Sequence, residues 1–165
     1  MSQPASTEKI TFQFQRPEFV GVSNEASAAL GISSLASKLA QEKRTRVEHS
    51  EGRAENVAEH SLALAKVARE LAVLLYPELD PNLVASFAGV HDDVEAYVGD
   101  TATDSISDEG LEQKRQREKL GVAQLKEEYK DLPSYVQLIE DYEAQEIPEA
   151  RFVRIVDKIM PILTH

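Results

Sequence analysis

Apolar residues recur at three- and four-residue spacing along most of this chain, which predicts helices joined by short polar connections. From about Asn24 to Glu42, Ala28, Ile32, Leu35 and Leu39 form one stripe, with Asn24 placed to cap the helix and Gly31 weakening its middle. A second helix is expected from about Asn56 to Tyr76, where Val57, His60, Leu64, Val67, Leu71 and Leu74 share a face. Pro81 is placed to open a third. In it Val84, Phe87, Ala88 and His91 fall at i, i+3, i+4 and i+7 before the helix ends near Asp92 or Asp93. A heavily charged helix follows over roughly Leu111 to Tyr129, its charges mostly a solvated face, and a short one after Pro133 carries Tyr135, Leu138, Ile139 and Tyr142. Pro148 opens the last helix, with Phe152, Val156 and Ile159 as its core stripe, Val153 and Met160 at the flank, and Asp157 at the stripe's edge. Residues 43–56, KRTRVEHSEGRAEN, and the segment from Asp100 to Gly110 read as polar loops. Ahead of the first helix, Ile10, Phe12 and Phe14 alternate with polar residues and predict a short strand or extended arm. The expectation is an all-α domain over residues 25–165 with an extended N-terminal arm over residues 1–24.

Composition narrows the classes of function. A chain of 165 residues, 42% hydrophobic, suits one domain with one sizeable core. The apolar run from Leu62 to Leu75 is interrupted by Lys66, Arg69 and Glu70, so no membrane span is expected. The first residues lack the basic start and apolar middle of a secretory leader, and the cytoplasm is the expected location. A net charge of −11 argues against binding a nucleic-acid polymer, though a small nucleotide remains compatible with it. Against that acidic background Lys43, Arg44, Arg46 and Arg53 lie close together, as a solvated basic loop or as one that recognises an anion.

The candidate chemistry comes from polar residues on apolar faces. His60 and His91 both occupy core-facing stripes of neighbouring helices, Asp92 follows His91 directly, and Asp157 stands among Ile155, Val156, Ile159 and Met160. A single histidine on such a face is more often a hydrogen-bonded core residue, and a single aspartate at a stripe edge more often a surface carboxylate. Together they are harder to explain that way, because buried polar and charged groups need partners. With no cysteine, any metal must be held by His, Asp and Glu. Two imidazoles and two carboxylates suit one divalent ion such as Mn, Co, Fe, Ni or Zn, with room left for water. Glu95 and Asp100 follow close behind.

Three stretches in order resemble the HD-domain metal-dependent phosphohydrolases: RAENVAEHS at 53–61, GVHDDVEAYVGDT at 89–101 and EARFVRIVDKIMP at 149–161. Their order and spacing are similar to the branch containing the bacterial 5′-deoxynucleotidases, over about residues 30–165. The resemblance implies an HD-domain helical bundle with His60, His91, Asp92 and Asp157 as metal ligands. It implies Glu95 as the acid/base or water-orienting group and Asp100 in the site, holding substrate or assisting catalysis. Arg46 would contact the phosphate, with Arg53 or Arg44 able to serve instead. The implied reaction is hydrolysis of a deoxynucleoside 5′-monophosphate to deoxynucleoside and phosphate, by a homodimer. The alternatives are a deoxynucleoside triphosphate triphosphohydrolase, for which Lys114 and Arg117 are candidate pocket cations, and a noncatalytic nucleotide-binding HD module.

Overall fold

The computed structural model describes residues 12, 14–48, 52–100 and 108–164, with the side chains of 45–48, 108, 163 and 164 left aside. Seven helices are found among them: α1 Asn24–Leu39, α2 Val57–Leu75, α3 Pro81–Val90, α4 Glu95–Val98, α5 Asp108–Glu128, α6 Pro133–Ala144 and α7 Pro148–Thr164. The expected all-α architecture holds, with two additions, the single-turn helix α4 and a short hairpin. The segment read as a polar loop forms an antiparallel hairpin, β1 Lys43–Glu48 and β2 Ala54–Asn56, with Lys43 paired to Asn56 and an irregularity further along. The strands are too short and too charged to show a period-two apolar pattern, so nothing in that stretch separates them from a loop.

Helix boundaries follow local chemistry. Ser23, rather than Asn24, caps α1, its hydroxyl accepting from the Ala26 N–H at 3.2 Å. Asn56 caps α2 in a full capping box: its side chain accepts from the Glu59 N–H at 2.9 Å, and the Glu59 carboxylate accepts from the Asn56 N–H at 3.2 Å. Asp80 caps α3 ahead of Pro81. Helix α5 starts at Asp108, three residues before the apolar pattern suggests.

Gly31 does not interrupt α1. It lies where the Arg16 side chain crosses the helix, and a Cβ there would stand 2.6 Å from Arg16 Cγ. The arm is thus held against the body. Phe14 is buried and meets Tyr97 edge-on at 5.5 Å, Phe12 does so at 6.1 Å, and the Arg16 N–H donates to Glu128 at 2.9 Å. Ile10 and residues 101–107 of the polar segment lie outside the described residues.

Two apolar clusters make the core. One joins Phe14, α1, Val57, α4, α5 and Ile139 of α6; the other joins α2, α3 and α7 through Leu64, Phe87, Val153 and Met160. Two stripes differ from the periodic reading. On α2, Val67 and Leu74 are exposed while Ala68 and Ala72 are buried, because small residues let α2 and α3 approach closely and send the larger ones outward. On α7 the buried residues are Ala150, Val153, Val156 and Met160, and Ile159 faces solvent. The helix is therefore rotated from the Phe152–Val156–Ile159 stripe. Since Asp157 lies one turn beyond Val153, this rotation carries it inward from the edge.

Candidate metal centre

Four elements converge where the two clusters meet. His60 lies in the first turn of α2, between Val57 of one cluster and Leu64 of the other, and has no exposed surface. His91 caps the C-terminal end of α3 and opens the turn 91–94 that carries Asp92. Asp157 comes from α7. The hairpin brings Arg44 on β1 beside Glu55 on β2.

The distances tie these groups together. His60 Nε2 is 2.8 Å from Asp157 Oδ1, and His91 Nε2 is 3.0 Å from Asp92 Oδ2 and 3.7 Å from Asp157 Oδ1. The two imidazole rings are 5.3 Å apart. His91 Nδ1 is 2.9 Å from the Ala88 carbonyl oxygen. A carbonyl only accepts, so Nδ1 carries the proton and donates it, and Nε2 is the atom turned to the carboxylates. That buried Nε2 has no aligned hydrogen-bond partner despite its short approach to Asp92.

Electrostatics favour a cation at this point. Burial works against a charged His91, but the Asp92 charge and the nearby Asp157 and Asp92 oxygens outweigh it and lift its pKa to about 10. Burial likewise opposes ionisation of Asp157, yet the contacts with His60 and His91 hold its carboxyl well below the usual range. Asp92 is lowered too, the His91 charge overcoming desolvation. The carboxylates that would keep a proton on Nε2 would equally attract a metal ion.

The donor set fits such an ion. One ligand atom each from His60, His91 and Asp157 lies within 4.8 Å of the others, which no other described His, Cys, Asp or Glu trio is found to do. Metal–ligand bonds of about 2.0–2.2 Å place neighbouring ligand atoms roughly 3–3.5 Å apart, close to the 2.8 and 3.7 Å separations from Asp157 Oδ1 to the two imidazoles. Asp92 adjoins this trio through its 3.0 Å approach to His91.

The other expected residues are distributed around the trio. Glu95, at the start of α4, has a buried Oε2 without a hydrogen-bond partner. Desolvation, then the Asp92 and Asp100 charges, push its pKa up to about 9, only partly offset by Arg44 and His91. Asp100 is half-buried just past α4. Arg53 pairs with Glu59 at 2.8 Å and is mostly exposed. Arg46 belongs to β1, but its side chain lies outside the described residues.

Among the described side chains, Arg44 is the arginine that reaches the centre. Its Nη1 is 3.1 Å from Asp92 Oδ2, its Nη2 4.0 Å from Asp157 Oδ1, and its Nε 3.5 Å from Glu55 Oε2. The sequence singles out the basic cluster but not which member turns inward, since that depends on the hairpin register. Glu55 was not legible as a site residue. It is 3% exposed, and its Oε2 is also 3.4 Å from His60 Nδ1. The one signal, an acidic residue just before the capping Asn56, is common on surfaces.

Comparison with known proteins identifies the family. No curated protein matches the sequence. A crystal structure of a predicted metal-dependent phosphohydrolase from Magnetospirillum magnetotacticum MS-1 is similar, with a TM-score of 0.72 and 29% identity, over 86% of this chain and 70% of that one. A conserved hypothetical protein from Pyrococcus furiosus is similar with a TM-score of 0.57 and 26% identity, over 79% of this chain and 75% of that one. The HD domain family matches residues 36–165, a span that holds every residue of the centre just described, and the chain belongs to that family.

Proposed function

We propose that this protein is a metal-dependent phosphohydrolase that converts deoxynucleoside 5′-monophosphates to deoxynucleoside and phosphate. The observation that carries the reading is the buried meeting of His60, His91 and Asp157, with Asp92 and Arg44 beside it. The similarity to a protein described as a predicted metal-dependent phosphohydrolase supports the reaction class.

On this reading His60, His91, Asp92 and Asp157 hold one divalent ion. Such an ion, when bound, acidifies water to a usable nucleophile and neutralises charge on a phosphoryl oxygen. The chain's own residues do the rest. The Ala88 carbonyl fixes the His91 tautomer, leaving Nε2 to bind. Arg44 offers guanidinium N–H groups to the substrate phosphate at the mouth of the site, assisted by Arg46 or Arg53 from the same hairpin. Attack of water on phosphorus breaks the bond to the 5′ oxygen, and that oxygen must gain a proton as it leaves. Glu95, buried among negative charges, is the group that holds a proton there to give. Asp100 accepts hydrogen bonds from the sugar. A homodimer belongs to this reading and is checked by light scattering.

A second reading has one specific support. Lys114 and Arg117, together with Glu118, which pairs with Lys114 at 3.4 Å, line a small hollow against Val98 and Gly99, at the end of the helix that begins with Glu95. Cations there suit a longer phosphate chain and release of tripolyphosphate from a deoxynucleoside triphosphate. The test is product analysis with a panel of deoxynucleoside mono- and triphosphates and added Mn or Co, using wild type and Asp92→Ala. Inorganic phosphate from monophosphates, lost in the variant, supports the nucleotidase. Tripolyphosphate from triphosphates replaces it with the second reading. Metal uptake without turnover of any substrate sinks both and leaves a binding module.

A further inference from the structure

Three buried polar atoms around the centre lack hydrogen-bond partners and face one another. They are Glu55 Oε2, His60 Nδ1 and Arg44 Nε. Glu55 Oε2 stands 3.4 Å from His60 Nδ1 and 3.5 Å from Arg44 Nε, so one carboxylate oxygen lies between a ring nitrogen and a guanidinium nitrogen. Their opposite sides are engaged in the site. His60 Nε2 meets Asp157, and Arg44 Nη1 meets Asp92. A carboxylate this deep is costly unless it is matched by charge and by donors, and among the described residues these are the two donors found beside it.

We propose that Glu55 is a positioning residue for the metal centre: it holds the proton of His60 on Nδ1, so that Nε2 presents its lone pair, and it anchors Arg44 through Nε. This rests on the reading of His60 as a metal ligand. A histidine that binds metal through one nitrogen donates from the other, and the acceptor fixes both tautomer and ring orientation. His91 has the Ala88 carbonyl for this purpose. His60 has only Glu55 near its Nδ1 among the polar contacts of the described residues. The hairpin thereby acquires a reason to be there: β2 places Glu55 five residues ahead of His60, while β1 places Arg44 across from it. A small shift that shortens both gaps would give the oxygen two hydrogen bonds and link the metal ligand to the arginine.

The test is cobalt binding to the metal-free full chain, by calorimetry and by the visible ligand-field spectrum, for wild type, Glu55→Gln and Glu55→Ala. Loss of such a supporting partner weakens metal affinity about 10–100-fold. The alanine variant is expected near the upper end with an altered spectrum, and the glutamine variant, which still offers an acceptor oxygen, near the lower. Affinity within twofold of wild type in Glu55→Ala, or in Glu55→Gln if the alanine variant does not fold, overturns the inference. So does weaker affinity with an unchanged spectrum, because a merely structural Glu55 would lower stability and leave the ligand field alone. If wild type itself takes up no cobalt, the metal-centre reading fails and this inference with it. Uptake by wild type with indifference to Glu55 removes this inference only.

Discussion

Replacing Arg44 with Met removes one positive charge while keeping an apolar stem, and should have opposite effects on the metal-free and metal-bound protein. Arg44 lies among Asp92 at 3.1 Å, Glu55 at 3.5 Å and Asp157 at 4.0 Å, with 17% of its side chain exposed. At 3.1 Å and an effective dielectric of ~20, the Asp92 pair alone corresponds to about 5 kcal/mol of Coulomb energy. Desolvation of the guanidinium takes back much of this, whereas breaking a buried pair from one side costs about 3–5 kcal/mol. Partial exposure places the expected loss for metal-free Arg44→Met at roughly 2–4 kcal/mol. For a domain of this size that is a fall in Tm of about 5–15 °C. A divalent ion neutralises the same carboxylates, so it should restore most of the loss. Removing a cation beside the ion should also tighten metal binding, by roughly tenfold if ~1.4 kcal/mol of repulsion is relieved. Thermal melts with and without Mn, paired with calorimetric Kd values, measure both effects. An unchanged metal-free Tm would mean that the arginine is not holding these charges together. Weaker metal binding would mean that it orients the ligands, and the argument from competing cations would be wrong.

Three further outcomes follow from the same geometry. Asp157→Ala deletes the oxygen that meets both imidazoles and should lower metal affinity by at least about 100-fold, by analogy with losses from merely supporting groups; calorimetry showing saturable binding near wild-type Kd would exclude Asp157 as a ligand. Glu95→Gln should reduce kcat about 10²–10⁴-fold on the best substrate with metal Kd nearly unchanged, and a variant retaining full kcat would remove Glu95 from proton transfer. Tyr135→Phe deletes the hydroxyl that donates to buried Asp93 at 2.5 Å; urea unfolding should show a loss of about 1–3 kcal/mol for the unsatisfied acceptor, and equal stability would mean that water or a rearranged side chain takes the hydroxyl's place.

Much of the site could be read from local patterns. His60 and His91 stood out because each breaks an apolar stripe with a group that must be satisfied inside, and Asp92 was marked by adjacency to His91. Those positions are buried or half-buried as the stripes required. The six longer helices are equally legible in order, since a 3.6-residue period survives in each of them, whereas α4 is a single turn and carries no such period. Arg44 and Glu55 were less so. Both lie in strands too short for any period to register, and their meeting depends on a hairpin pairing that pairs Lys43 with Asn56.

By itself, then, the sequence determined which segments are helical, which faces are apolar and which polar residues sit uneasily on those faces. These are local properties, expressed within a few turns of chain. Tertiary structure decided how far each helix is rotated about its axis and what its polar residues meet. The alanines of α2 draw α3 close, Ala150 and Val153 turn α7 so that Asp157 faces inward, and His60 finds it across 97 residues of chain. Rotation and crossing are set by the packing of side-chain volumes from distant segments, which is why a period in one segment can nominate a ligand but cannot choose its neighbours.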